Sequence, residues 1–349
     1  MKEKILIYIS LFFLSVNTYS QIGNKGTYKF LNLATSPRIL GLGSDFIPVS
    51  DDDIMLALSN PSIISKGMDN KLGFCFIDYF SDINSGLISY SKTFNKYGSF
   101  AGNIQFIDYG SFDRTDNAGN ILGTFSSKEY AVTLGWGRKL DSSFSIGANL
   151  KSIMSYLEDY KSYGITVDIA GTYFNKNNNF TAVLIAKNIG RQVKYYSEAN
   201  EALPFEIQAG LSKRFQHVPL RLNILYNHIE KFNLTYDDPD DPDPNTDPLT
   251  NEITYKNNVA KNADKFLRHF VVGIEFIPLK FFNFQLSYNY QRRKEMRVPS
   301  KISTVGLAWG CGIKISKFNL NYARSTYHLA GSPNYLSLST NISDLIGKK

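Results

Sequence analysis

The sequence predicts an all-β fold: a transmembrane antiparallel β-barrel of about fourteen strands, with a short helical N-terminal plug. Three observations predict it. From Leu72 onward the dominant hydropathy period is two. Phe282, Phe284, Leu286, Tyr288 and Tyr290 alternate with Asn283, Gln285, Ser287, Asn289 and Gln291. Leu307, Trp309, Cys311 and Ile313 alternate with Ala308, Gly310 and Gly312. Such alternation gives each strand one apolar face and one polar or small face. The alternating stretches also run to about 9–11 residues, the length a tilted strand needs to cross a bilayer. Finally, short and long connections alternate, and Tyr and Phe recur near strand ends, as in barrels whose apolar face meets lipid and whose polar face lines the lumen.

The chain begins with an apolar run, residues 5–16, preceded by Lys2 and Lys4 and followed by Asn17-Thr18-Tyr19-Ser20. It is shorter than the ~20 residues a membrane helix needs and has the three-part form of a secretory signal. Residues 1–20 are therefore expected to leave as a signal peptide, with Gln21 first in the mature chain. Without a Cys after that run, lipid attachment there is not expected.

Residues 21–70 form the expected plug, and Ser50 to Asn60 reads as its helix. Ser50 can cap it, with Asp53 at capping-box spacing. Asp51, Asp52 and Asp53 put negative charge in the first turn, where the helix dipole favours it, and Pro61 ends the helix. Ile54, Leu56 and Leu58 are expected to be buried inside the barrel near its periplasmic mouth. Nothing after this segment reads as helical.

Residues 71–349 form the barrel. Strands are expected near 71–79, 85–94, 98–109, 129–139, 144–157, 163–173, 180–189, 204–215, 220–232, 268–277, 281–291, 302–314, 318–327 and 334–342. Tight connections fall at 95–97, 140–143, 174–179, 216–219, 279–280 and 316–317. Long ones fall at 110–128, 190–203, 233–267 and 292–301. With the N-terminus in the periplasm, strand parity puts the long set at the cell surface.

The loop 233–267 contains DDPDDPDPNTDP, with Asp237, Asp238, Asp240, Asp241, Asp243 and Asp247. Its prolines and close carboxylates favour an extended, solvated segment. The spacing does not match a twelve-residue calcium loop. This loop and 110–128 are the stretches expected to face a partner.

Other features argue against chemistry. Cys75 and Cys311 fall on opposite faces of the wall, which predicts two free thiols. Parity puts His228 on the lipid side with Tyr226 and turns His269 inward. Neither a G-x-S-x-G elbow nor an H-E-x-x-H pair occurs, so no catalytic residue, cofactor or metal site is expected. Gly135 with Gly137, and Gly310 with Gly312, lack the dinucleotide fingerprint and instead leave room in a lumen. The net charge of +7 is scattered near strand ends, which fits a rim near anionic headgroups and not a nucleic-acid face.

Several longer stretches carry a family resemblance. FLNL at Phe30, SPRILGLG at Ser36 and LALSNPS at Leu56 are joined by FIDYGSFDRTDNAGNILGTF at Phe106 and LPFEIQAGLSK at Leu203. LTYDDP at Leu234, LRHFVVGIEF at Leu267, YNYQRRKEM at Tyr288 and STYHLAG at Ser325 complete the set. Together they resemble the PorQ and PorV proteins of the type IX secretion system of Bacteroidetes, whose barrel is similar to that of FadL transporters.

The resemblance implies a plugged fourteen-stranded barrel in the outer membrane, within a cell-surface attachment complex. There it would anchor a PorZ-like surface protein beside a PorU-like sortase and a PorV-like barrel, where cargo is joined to lipopolysaccharide. The C-terminal residues Ile346-Gly347-Lys348-Lys349 lack the terminal Phe usual for insertion, which points to 335–342 as the signal. The alternative is a FadL-type channel for hydrophobic small molecules. Such a channel needs an apolar path, which inward residues such as Asn283, Gln285, Asn289, Glu206 and Gln208 disfavour.

Overall fold

Period-two alternation becomes a closed wall. In a computed structural model, which describes residues 26–43, 48–235, 258–297, 303–328 and 331–346, the strands are β1 Lys71–Asp78, β2 Asn84–Phe94, β3 Gly98–Thr115, β4 Ile121–Lys139 and β5 Phe144–Leu157. They continue as β6 Tyr160–Asn175, β7 Phe180–Lys194, β8 Glu206–Arg214, β9 Leu220–Tyr226 and β10 Phe270–Leu279. The last are β11 Phe282–Asn289, β12 Leu307–Ile315, β13 Phe318–Ser325 and β14 Asn334–Asn341. Each pairs antiparallel with its neighbours in sequence, and β14 pairs with β1 in the register Phe74↔Leu338 to close the barrel. Closure leaves the ladder without a first or last edge strand, which a bilayer requires.

The burial pattern is inverted relative to a water-soluble sandwich. Phe76, Leu134 and Leu286 are 52%, 55% and 50% exposed on the outside, whereas Asn149, Gln208 and Gln285 are at most 1% exposed within. An apolar outer belt over a polar lining is the arrangement lipid selects, so this is a transmembrane barrel.

Two expectations about the chain after the N-terminal segment are corrected. The stretch 110–128 is not a loop: β3 and β4 continue past it as one hairpin, paired from Ser111↔Ser126 to Thr115↔Ile121. Only 116–120 turns, where the Asp116 carboxylate accepts the Ala118 and Asn120 amide N–H groups at 2.9 Å and Gly119 takes φ +85°. The β5–β6 connection, outside the expected long set, is just Glu158-Asp159. Helices do follow the N-terminal segment. Besides α1 Pro37–Gly41 within it, the fold has α2 Asn258–Leu267, α3 Tyr290–Met296 and α4 Ile342–Ile346. The Asn289 side chain accepts the Arg292 N–H at 2.9 Å and starts α3, which ends β11 two residues before the expected limit.

Inside the barrel, the described residues of 26–43 and 48–64 pack against inward strand positions, as where Gly41 meets Gln285 and Ile54 meets Gly73. The expected helix from Ser50 to Asn60 does not form. Ser50 is exposed and caps nothing. Asp53 instead caps a 3₁₀ turn, Ile54–Leu56, by accepting the Met55 N–H at 3.1 Å. A capping box would need residues 51–53 in a helical first turn, but Asp51 and Asp53 are drawn to Arg38. The segment's α-helix is α1, where Ser36 accepts the Ile39 N–H and Pro37 stands first.

Candidate functional site

The lumen and its two ends are where the chain's polar and ionisable groups gather. Ile54, Leu56 and Leu58 are 1%, 0% and 5% exposed, packed with Ile39, Leu40, Leu42 and Ile64. Ile54 lies beside Gly73, near the start of β1 and so toward the short-turn end. Pro61 is also buried and sits against β4 and β5. Inward glycines make that approach possible: a Cβ on Gly137 would lie 2.5 Å from the Ile64 carbonyl oxygen and 2.6 Å from that of Pro61. Asn60 accepts the Ser62 N–H at 3.1 Å, and the Ser62 hydroxyl lies 2.6 Å from the Thr172 hydroxyl of β6.

An ion cluster ties this segment to the wall. Arg38 Nη2 is 2.7 Å from Asp51, Nη1 is 3.4 Å from Asp53, and Nε is 2.9 Å from Glu275 of β10. Arg221 of β9 reaches the other Glu275 oxygen at 2.6 Å. The Glu275 side chain is fully buried and that of Arg38 is 10% exposed. Burial opposes the charge on Arg38, but the carboxylates of Asp51, Glu275 and Asp53 outweigh it and hold the guanidinium protonated. The sequence reading missed this cluster. Its signal was Glu275, the lone charge in the apolar run from Phe270 to Phe276.

Two cavities flank the buried part and share no lining residue. The first, about 730 Å³, opens at the end with the β3–β4 hairpin. Tyr28, Tyr109, Phe112, Leu157, Tyr160 and Tyr196 form its walls, with Lys29, Glu129 and Glu201 as its charged groups. Tyr109 donates to Glu129 at 2.6 Å, and Tyr28 bonds Ser162. The second cavity, about 510 Å³, lies at the short-turn end beside the ion cluster and adds Lys71, Arg214, Lys280 and Lys314 to it.

At the end with the β3–β4 hairpin, α2 is joined to α3. Asp264 accepts from Tyr290 at 2.8 Å and pairs with Arg268 at 2.9 Å and Lys294 at 3.0 Å. Burial disfavours its ionised form, yet the bonds from Tyr290, Arg268 and Lys294 prevail and hold its carboxyl down at about 2.

The remaining expected residues separate as follows. Cys75 is buried on the inner face, Cys311 is half-buried, and both are free thiols. His269 is buried, with Nδ1 2.7 Å from the Asn227 carbonyl oxygen. His228 departs from its expected lipid-facing position. It follows the end of β9 with φ +55°, which breaks the alternation and points its ring at Glu230, 3.0 Å away, and inward Glu206, 3.6 Å away. Asp237, Asp238, Asp240, Asp241, Asp243 and Asp247 lie outside the described residues.

No protein-family model matches the chain, and no curated protein matches it. Among solved structures, a CymD monoaromatic hydrocarbon channel is 11% identical, covering 88% of this chain and 96% of that chain at a TM-score of 0.48. The P. putida toluene transporter TodX is 9% identical, covering 89% and 98% at a TM-score of 0.49. A Pseudomonas aeruginosa FadL homologue is 10% identical, covering 88% and 98% at a TM-score of 0.45. At these identities and scores the likeness carries no statement about what this chain binds.

Proposed function

We propose that the chain is exported by its leader, residues 1–20, and inserted in the outer membrane as a barrel plugged by its own residues 21–70. It then acts at its surfaces as an anchor and not as an enzyme. The observation that supports this reading is the filled lumen. Ile39, Leu40, Ile54 and Leu56 are at most 1% exposed inside the wall, and Arg38 is locked to Glu275 across it. A wide conduit has no use for a buried apolar core and a buried ion cluster in its bore.

The finer placement rests on the sequence resemblance. The outer β3–β4 hairpin and the loop 233–267 would hold a PorZ-like surface protein, beside a PorU-like sortase and a PorV-like barrel. The wall would contact lipopolysaccharide and outer-membrane lipid. Purification from native membranes, with partners identified by mass, tests it. The intact chain should bring down the surface protein, and a chain lacking 237–247 should insert equally well and bring down less. Undiminished capture would remove that loop from the anchor.

A second reading, a channel for hydrophobic small molecules, is favoured by the outer cavity. Its aromatic walls, with one Lys and two Glu beside them, suit an amphipathic ligand. Loss of hydrophobic-substrate uptake on deletion of the chain would support the channel. Loss of sortase-processed cargo from the cell surface would support the anchor.

A further inference from the structure

The short-turn end carries a charge pattern that neither reading uses. Each of the six tight connections has an exposed basic residue in it or at its first strand end: Lys96, Lys139, Lys176, Arg214, Lys280 and Lys317. None of the six forms an ion pair among the described residues. The same connections contain a single carboxylate, Asp141, whose oxygen accepts the Ser143 and Phe144 N–H groups at 2.6 and 2.8 Å. The opposite end is mixed, with exposed carboxylates at Asp82, Glu158, Asp159 and Glu198 beside exposed bases at Lys161, Arg191 and Lys194.

Five of the six bases stand next to a large exposed apolar residue. Tyr97 follows Lys96, Leu140 follows Lys139, Phe215 follows Arg214, Phe281 follows Lys280, and Phe318 follows Lys317. These neighbours are between 38% and 61% exposed, which marks the edge of the lipid-facing belt. The Lys96 ammonium lies 5.6 Å from the Tyr97 ring centre, a packing in which the stem covers apolar surface while the charge stays at its edge. Arg214 and Lys280 stand where the wall meets the mouth of the second cavity, so the bases ring the rim of the barrel at headgroup depth.

Their distribution identifies the partner. A protein docking on the barrel would meet one arc or the end face, whereas lipid meets the whole circumference. We propose that this ring binds the phosphate groups of anionic glycerophospholipids in the leaflet facing the short turns. The inference rests on the transmembrane fold and is independent of the choice between anchor and channel. A basic residue near an anionic surface contributes about a fivefold preference, which salt screens.

The test is native mass spectrometry of the full chain released from nanodiscs of equimolar phosphatidylglycerol and phosphatidylethanolamine. The expected result is an excess of retained phosphatidylglycerol of about fivefold or more. It should fall to the bulk ratio in the variant K96Q/K139Q/K176Q/R214Q/K280Q/K317Q. The matching variant with Lys replaced by Arg, and Arg214 by Lys, should retain it. Neutralising Lys161 and Lys194 at the other end should also leave it unchanged. Incorporation into nanodiscs without any preference would overturn the proposal alone. A preference that survives the six neutralisations would overturn it as well, as would no lipid preference but salt-sensitive capture of an acidic protein. Failure of the wild-type chain to enter nanodiscs would overturn the membrane-spanning reading beneath it.

Discussion

Replacing Arg38 with Met should loosen the inner segment and leave the wall intact. The substitution removes the guanidinium that stands 2.7 Å from Asp51, 2.9 Å from Glu275 and 3.4 Å from Asp53. Breaking a buried ion pair costs about 3–5 kcal/mol, because the partner charge stays buried and unpaired. Here Glu275 keeps Arg221 at 2.6 Å, and the Asp51 side chain is 33% exposed and can recruit water. The low end, about 3 kcal/mol, is therefore the expected loss. The ladder bonds of β9 and β10 are untouched, so the loss falls on local opening of the inner segment, raising its open population by about a hundredfold. Amide hydrogen exchange in the reconstituted barrel reads this directly. Amides of Leu56, Ala57 and Asn60, whose N–H groups bond within the segment, should exchange about a hundredfold faster in the variant. Those of β9 to β12 should not change. Unchanged exchange at those three amides would refute the assignment of Arg38 as the lock.

Other predictions concern separate parts of the molecule. Because the Asp264 carboxyl is held at about 2, below its unfolded value of about 3.9, its contribution to docking α2 on α3 is complete above that unfolded value. The contribution is lost as pH falls from about 4 through about 2, and Asp264→Asn should abolish this dependence in hydrogen exchange of α2 and α3. Gly137→Val would place a Cβ about 2.5 Å from the Ile64 carbonyl oxygen, an overpacking worth ~1–3 kcal/mol. It should raise protease cleavage within 54–64, and cleavage equal to wild type would show that the segment is not seated there. Gly119→Val forces a branched side chain to φ +85° at the hairpin tip. Nuclear magnetic resonance should show fraying limited to 113–123, with the strands inside the bilayer unmoved.

How much of this was legible in the sequence follows from where water and lipid meet the chain. Within the bilayer a strand has one face in lipid and one in the lumen, so Phe282 to Tyr288 alternates cleanly and its strand is readable. Beyond the bilayer both faces of the β3–β4 hairpin are wet. Alternation fades there, and Ser111 to Thr115 passes for a loop although it is paired with 121–126. The end of β11 was hidden for a different reason, since Asn289 is both an inward strand residue and the cap of α3. His228 escaped because parity fails at its positive φ. The burial of Ile54, Leu56 and Leu58 followed from their apolar character, but the path of the chain around them did not. That path is set by Arg38 and Glu275, which lie 237 positions apart in sequence and become a pair only once the barrel closes.

Electrical conductance of the intact chain in a planar lipid bilayer tests the sealed-barrel account most directly. The account predicts insertion without a steady open channel, because the bore is filled by residues 54–64 and locked at Arg38. A steady ohmic conductance from the intact protein would contradict it and transfer the case to a conduit.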